Sequence, residues 1–450
     1  MKMKYLFVDN FRGFADACIP ITDVNFLVGQ NSTGKTSLLG ILKLFSSPHF
    51  VFEQDFSDEH LGFGAFSDMV SAHSEARRMF HLGMAFEKAD KKSGVGAAIG
   101  WLFTFVERDG RPRLTKFTYS LGAKRILLNF DGGGVTYRQF MYPTAPSVRE
   151  VSETWFQRWK LEHTSEQKDG RERVSLPRGF GRNVPLFVAL SLSWQGLSDS
   201  KVKTRNGERQ AKDVSLDVPG DIAFAPDLAW IAPIRTKPKP YYGDLPMDFD
   251  PEGEHTPYLI RRILRSRSDA KEFHEFMTRV GAASGLFQDV QIKNFPKRGT
   301  KGPFEIDILL DDAALKLTTV GYGVSQALPV LVEILARPKG TWFGIQQPEV
   351  HLHPRAQAAL GDVVFEAAVS EDKHFLIETH SDFAIDRFRM NFKRNRRSKA
   401  PDSQILFFER QRKHNVVTSL PIGDTGELPL DQPESYRDFF IREQMDLLGI

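Results

Sequence analysis

The chain has 450 residues and a mass of 51.1 kDa, which predicts two or three packed lobes. Hydrophobic residues at 41% and charged residues at 26% describe a globular chain with a sizeable core and exclude disorder over most of it. Sixty Lys and Arg nearly balance 57 Asp and Glu, so any nucleic-acid signal must be local. No window approaches the roughly 18 uninterrupted apolar residues of a membrane span, and the start, MKMKYLFVDNFRGF, lacks a cleavable apolar region. Neither secretion nor a membrane partner is expected. The single cysteine, Cys18, cannot form an internal disulfide and fits a reducing compartment, by default the cytoplasm.

Tyr5-Leu6-Phe7-Val8 predicts a first strand that ends in Asn10-Phe11-Arg12-Gly13-Phe14. Asn25 to Val28 predicts a buried strand, and Ser37 to Leu44 predicts a helix. Between them Gly29, Gln30, Asn31, Ser32, Thr33, Gly34, Lys35 and Thr36 spell G-x-x-x-x-G-K-T, so strand, loop and helix come in the order of a phosphate-binding loop. The chemistry needs Gly29 and Gly34 because successive N–H groups must turn around phosphate oxygens in conformations that side chains obstruct. Lys35 would reach the β and γ phosphates, Thr36 would hold Mg²⁺, and the helix start at Ser37 adds its positive dipole end. ATP and Mg²⁺ are the expected ligands.

Phe50 to Asp68 joins this helix to the next region and contains Gln54. Alternating runs from 75 to 140, with the turn Arg108-Asp109-Gly110, predict β-hairpins. Residues 145–220 read as an inserted arm or lid, helical over Trp155 to His163 and then charged and poorly periodic. A solvated surface and a partner- or DNA-contacting arm are both open readings. Ala232-Pro233-Ile234-Arg235 precedes a tyrosine pair, Tyr241-Tyr242, and Gly253-Glu254.

Thr318 to Gln326 forms a second glycine-rich turn, containing Gly321, Gly323, Ser325 and Gln326, before a helix predicted over Ala327 to Ala336. TWFGIQQPEVHLHP (Thr341 to Pro354) and FLIETHSD (Phe375 to Asp382) are short apolar strands ending in polar residues, separated by a helix over Arg355 to Ala368. Such endings lie at the carboxyl edge of a parallel sheet, where ligands bind in open α/β folds. Arg387 to Lys399 then carries seven basic residues (Arg387, Arg389, Lys393, Arg394, Arg396, Arg397 and Lys399), no acid and two phenylalanines. This cluster suits phosphates, an acidic partner or a solvated helix end.

Taken together, N-F-R-G-F, G-x-x-x-x-G-K-T, P-E-V-H-L-H-P and E-T-H-S resemble the ABC-type ATPases of the RecF, SMC and OLD group, as found in phage-defence modules. The resemblance implies an α/β ABC-ATPase head with a mixed sheet, an antiparallel β lobe and an inserted charged arm. It implies the following organisation: 1–68, first half of the head; 69–144, β lobe; 145–220, arm; 221–400, second half; 401–450, a small extension. It also implies that Arg12 sits near the nucleotide, Gln54 is a Q-loop glutamine, and Arg235 touches nucleotide or partner unless it forms a structural salt bridge. Gly321, Gly323, Ser325 and Gln326 become a signature that caps the nucleotide of a second copy, His353 faces that copy, and His380 senses the γ-phosphate.

By the same resemblance Gln346 takes the Mg²⁺-acid position and Gln347 that of the catalytic glutamate. Neither glutamine can accept a proton, so hydrolysis is expected to be slow unless Glu349 acts instead. A slow natural switch and an engineered trap are both open explanations of the pair. OLD-type nucleases append a TOPRIM domain, and the 70 residues after His380 are too few for one, so this chain is not expected to cut nucleic acid. The residues and their spacing lead to an ATPase that self-associates around ATP and Mg²⁺, and the resemblance implies that it controls a nuclease or toxin encoded nearby. A DNA-repair clamp and an ATP-gated scaffold are the alternatives.

Overall fold

The computed structural model describes residues 2–47, 50, 56, 61–73, 78–88, 97–130, 135–144, 146–164, 172–174, 225–243, 247–295, 302–395 and 400–439. Most of the predicted arm, Gln54, Arg396 and Arg397 lie outside the described residues. In chain order the strands are β1 (Lys2–Asp9), β2 (Ala17–Pro20), β3 (Val24–Gly29), β4 (Met79–Lys88), β5 (Ala97–Arg108), β6 (Arg111–Leu121), β7 (Lys124–Phe130), β8 (Val135–Met141) and β9 (Glu172–Val174). They continue as β10 (Leu228–Ile231), β11 (Asp289–Asn294), β12 (Phe304–Leu310), β13 (Ala313–Lys316), β14 (Trp342–Gln346), β15 (His374–Glu378), β16 (Ser403–Gln411) and β17 (His414–Ile422). The longer helices are α1 (Lys35–Ser46), α2 (Phe156–Thr164), α3 (Thr256–Ile263), α4 (Arg267–Ser284), α5 (Tyr322–Ala336), α6 (Pro354–Glu371) and α7 (Asp382–Arg394).

The chain divides into two compact units. One comprises residues 1–21, 31–226 and 409–417. Its sheet of eight strands, in the order β2-β1-β4-β5-β6-β7-β8-β9, is antiparallel throughout. The predicted hairpins are present: β5 and β6 join through Asp109 and Gly110, both with positive φ (53° and 73°), as a two-residue turn between right-twisted strands requires. Alternation along β5 sends Phe103 to one face, where it stacks on Phe45 of α1 at 5.3 Å. Leu102 points to the other face, in a cluster with Phe7, Phe156 and Trp159.

The other unit comprises residues 22–30, 227–408 and 418–450. Its main sheet runs β10-β14-β15-β3-β16-β17, and its first five strands are parallel. Strands buried on both faces read as continuous apolar runs, as WFGIQ and HFLIE do. A three-stranded antiparallel sheet, β11-β12-β13, completes the unit. On α7, Phe388 packs on Phe26 of β3 at 5.1 Å and on Phe365 of α6 at 5.5 Å. The parallel order places the ends of β14, β15 and β3 side by side.

Candidate nucleotide-binding site

β3 is buried along its whole length. Its Asn25 is pinned from both sides, donating to the Phe375 carbonyl at 3.1 Å and accepting from Gln404 at 2.7 Å. The strand delivers Gly29 with φ 142°, where a Cβ would overlap the Phe408 carbonyl. Gly34 has φ 100°, and a Cβ there would overlap the Phe14 ring. Both glycines are thus required by the backbone and by what lies against it. Ser32 between them also has positive φ, 63°. α1 begins at Lys35 with no side-chain cap and no acid in its first turn, which leaves its first N–H groups oriented for an anion. Lys35, Thr33 and Ser37 are buried, whereas Gln30, Asn31, Ser32 and Thr36 are exposed.

Two contacts on this side were not legible in the sequence. Arg410, in the β16–β17 hairpin, donates to the Ser32 carbonyl at 3.2 Å. In the sequence it is one of several charges around a turn. Asn415 of the same hairpin holds the N-F-R-G-F turn, donating to the Arg12 carbonyl at 3.1 Å and through its backbone to Gly13 at 2.8 Å. The Arg12 side chain donates to the Gly62 carbonyl at 2.5 Å and lies over the Phe63 ring. Partial burial lowers its pKa, and Asp68 opposes that shift.

The carboxyl edge of the parallel sheet gathers the predicted polar residues. Cα partners across it run Gln346 to Glu378 to Leu27. The Gln346 amide donates to the Glu378 carboxylate at 3.0 Å, and the Gln347 N–H donates to the Glu378 carbonyl at 2.7 Å. Gln347 has φ 43° and His351 φ 65°, so this loop stores backbone strain of the kind that gathers at functional sites. Glu349 accepts from the His380 N–H at 2.7 Å through one carboxylate oxygen, and its other oxygen is buried without a hydrogen bond. Arg235, 3% exposed, donates to the Gln346 carbonyl at 3.0 Å, while its Nε and one terminal nitrogen are buried without partners. Burial pulls its pKa down to about 10, and nearby Glu349 opposes the shift. Among the described residues Arg235 is held by its hydrogen bond to the Gln346 carbonyl, with Glu349 as an electrostatic neighbour. His353 caps α6, accepting from Ala356 through its ring.

The second glycine-rich turn differs from expectation. α5 begins at Tyr322 and not at Ala327, so Gly323, Ser325 and Gln326 lie inside its first turns. Ser325 is buried with its hydroxyl donating to the Tyr322 carbonyl at 2.9 Å, and Gln326 is buried with its amide donating to Arg235 at 3.4 Å. What this turn exposes is Thr318, Thr319, Gly321 and Tyr322, and the Tyr322 ring meets His351 at 5.3 Å.

The basic segment also reads differently in three dimensions. Phe388 and Phe392 are core residues of α7, separated by the helical i, i+4 interval, and so offer no stacking surface. Arg387 pairs with Asp362, and Arg389 pairs with Asp386 and donates to the Gly426 carbonyl. Lys393 and Arg394 are exposed.

Comparison with known proteins bears on both stretches. Residues 1–151 match the family model described as "AAA ATPase domain", and residues 250–386 match the one described as "AAA domain, putative AbiEii toxin, Type IV TA system". Both stretches are thus similar to AAA-type ATPase domains, and the mixed α/β fold with its phosphate loop is of the P-loop NTPase kind. No curated protein matches it. Similar solved structures include an SMC head bound to the C-winged helix domain of ScpA, 12% identical over 94% of this chain and 98% of that one, with TM-score 0.45. Others are the SMC head domain from Thermotoga maritima (11%, 93% and 99%, TM-score 0.41) and a Pyrococcus furiosus SMC head with an extended coiled coil, bound to the C-terminal domain of ScpA (11%, 100% and 98%, TM-score 0.42). At these scores the fold assignment rests on the strand order and the phosphate loop. No described helix is long and apolar enough to cross a membrane.

Proposed function

We propose that this ATPase works as a slow ATP-gated switch in the cytoplasm: it binds ATP with Mg²⁺, pairs with a second copy around the nucleotide, and controls an effector nuclease or toxin of a prokaryotic antiviral module. The observation that carries the reading is the phosphate loop, with Gly29 and Gly34 in conformations only glycine holds and α1 uncapped at Lys35. Lys35 supplies the charge for the β and γ phosphates, and Thr36 is exposed at the helix start to meet the metal. Bound Mg²⁺ would neutralise developing phosphate charge. Gln346 and Gln347 cannot take a proton from water, and Glu349, with one oxygen uncommitted, is the carboxylate left to do so. The exposed turn at Gly321 and Tyr322 supports self-association, and the toxin-named model over residues 250–386 supports control of an effector. Exposed Lys393 and Arg394 support a second reading, a DNA clamp.

Titration calorimetry with ATP tests the first step: Lys35→Ala is expected to lose most of the affinity, and unchanged binding rejects the site. Light scattering tests the second. Gly321→Arg enters open space and leaves the fold intact, so it should bind ATP yet block ATP-dependent association. Ser325 is too buried for the same purpose. Turnover at about 1 s⁻¹ or faster, the low end of ordinary enzyme rates, would exclude a slow switch. Turnover stimulated by DNA would favour the clamp.

A further inference from the structure

The acid expected at position 346 is absent, yet the sheet edge is not without a carboxylate. We propose that Glu378 is the carboxylate that meets the magnesium ion of the bound nucleotide, and that Gln346 is the residue that orients it. This rests on the nucleotide-binding reading above and changes which strand supplies the acid.

The first argument is position. β15 lies between β14 and β3, and the Cα partners Gln346, Glu378 and Leu27 stand at one level across the three strands. Leu27 is two residues before Gly29, where the phosphate loop begins. Glu378 is therefore on the strand paired with the loop's own strand, and Gln346 is one strand farther away, roughly 4.8 Å. A magnesium ion bound partly through water absorbs a displacement of that size.

The second argument is chemical. The Gln346 amide donates to one Glu378 carboxylate oxygen at 3.0 Å. An amide donor fixes the direction of the carboxylate and leaves its charge in place, which is how outer residues orient metal-binding groups. The edge therefore keeps a carboxylate, on the strand beside the one where an acid was expected. The third argument is burial. Glu378 is 7% exposed and Gln346 5%, so a contact between this pair and a metal ion is little screened by bulk water. One carboxylate suffices, because magnesium takes its remaining ligands from phosphates and water. Among the described residues no group of three or more His, Cys, Asp or Glu is arranged as a metal site of its own.

The test uses the full-length protein, a non-hydrolysable ATP analogue and Mn²⁺ observed by electron paramagnetic resonance, so that it does not depend on turnover. Glu378→Gln is expected to keep metal-free analogue binding and to weaken Mn²⁺ about tenfold or more. The exchange variant, Gln346→Glu with Glu378→Gln, rebuilds the same hydrogen bond in reverse and is expected to recover Mn²⁺ binding and the parent's melting temperature. Gln346→Glu alone places two carboxylates about 3 Å apart, so it should melt lower without metal and be rescued by Mn²⁺. Mn²⁺ affinity unchanged in Glu378→Gln, with analogue still bound, overturns this assignment and leaves the nucleotide site standing. A parent protein that binds no analogue overturns both.

Discussion

The two glycine-rich turns of this chain look alike as text and differ as structure. In the phosphate loop Gly29 and Gly34 hold positive φ and are pressed against the Phe408 carbonyl and the Phe14 ring. In the second turn Gly321 has φ −57° and ψ 149°, ordinary for any residue, and a Cβ there meets nothing within 4 Å. Gly323 is intermediate: it is helical, but a Cβ would stand 2.8 Å from the His351 carbonyl. Glycine at Gly29 and Gly34 is demanded by the fold itself. At Gly321 the fold makes no such demand, which leaves room for something that approaches from outside.

The sharpest way to break this contrast is Gly29→Ala. The methyl group must displace the backbone of β16 or force β3 out of its conformation, and either costs about 1–3 kcal/mol, with strain at the glycine-only φ adding a similar amount. We expect a lower melting temperature and loss of ATP binding at any concentration that saturates the parent. A variant that keeps both would show that the loop re-forms without glycine. Gly323→Ala should act more weakly. Its Cβ crowds the His351 carbonyl, but alanine recovers up to about 1 kcal/mol of helix propensity, so a net destabilisation near 1 kcal/mol is expected in denaturant melts. Stabilisation would mean that the His351 loop moves freely.

The same contrast explains what could be read in advance. The phosphate loop was legible because G-x-x-x-x-G-K-T fixes four residues within a window of eight and a strand and a helix flank it. The edge residues Gln346 and Glu378 were legible as strand endings, since continuous apolar runs mark strands of a parallel sheet. The start of α5 was not. Gly321-Tyr322-Gly323 imitates a loop, and the buried environment of Ser325 and Gln326, which holds the helix from Tyr322 onward, comes from residues distant in sequence such as Arg235. The basic stretch after His380 misled for a related reason. Its phenylalanines looked interleaved with charges, while the helical period places Phe388 and Phe392 on the inner face and commits Arg387 to Asp362. The Gln346 to Glu378 bond could not be seen at all, because it joins positions 32 apart whose pairing depends on sheet order.

The smallest effects are the most discriminating, because they separate a loop held by its own backbone from one held by tethers. Gly321→Ala loses only the slight advantage of glycine over alanine at a helix N-cap and gains from a less flexible unfolded chain, so stability should change by no more than about 0.5 kcal/mol. Any larger loss of ATP-dependent association would then belong to the interface alone. Arg410→Ala is the matching probe in the phosphate loop. It removes the exposed hydrogen bond to the Ser32 carbonyl, 3.2 Å long, together with a longer one to Asn415 Oδ1 at 3.4 Å. Such a bond contributes about 0.5–1 kcal/mol, which corresponds to ATP affinity reduced roughly two- to fivefold with the melting temperature nearly unchanged. Arg410→Lys should restore part of the difference, since an ammonium on a flexible stem can still reach a carbonyl. If Arg410→Ala instead abolishes ATP binding, the loop is not self-supporting and Arg410 acts on the nucleotide directly. If it leaves affinity untouched, Gly29, Gly34 and the N-terminus of α1 define the loop without help from the hairpin.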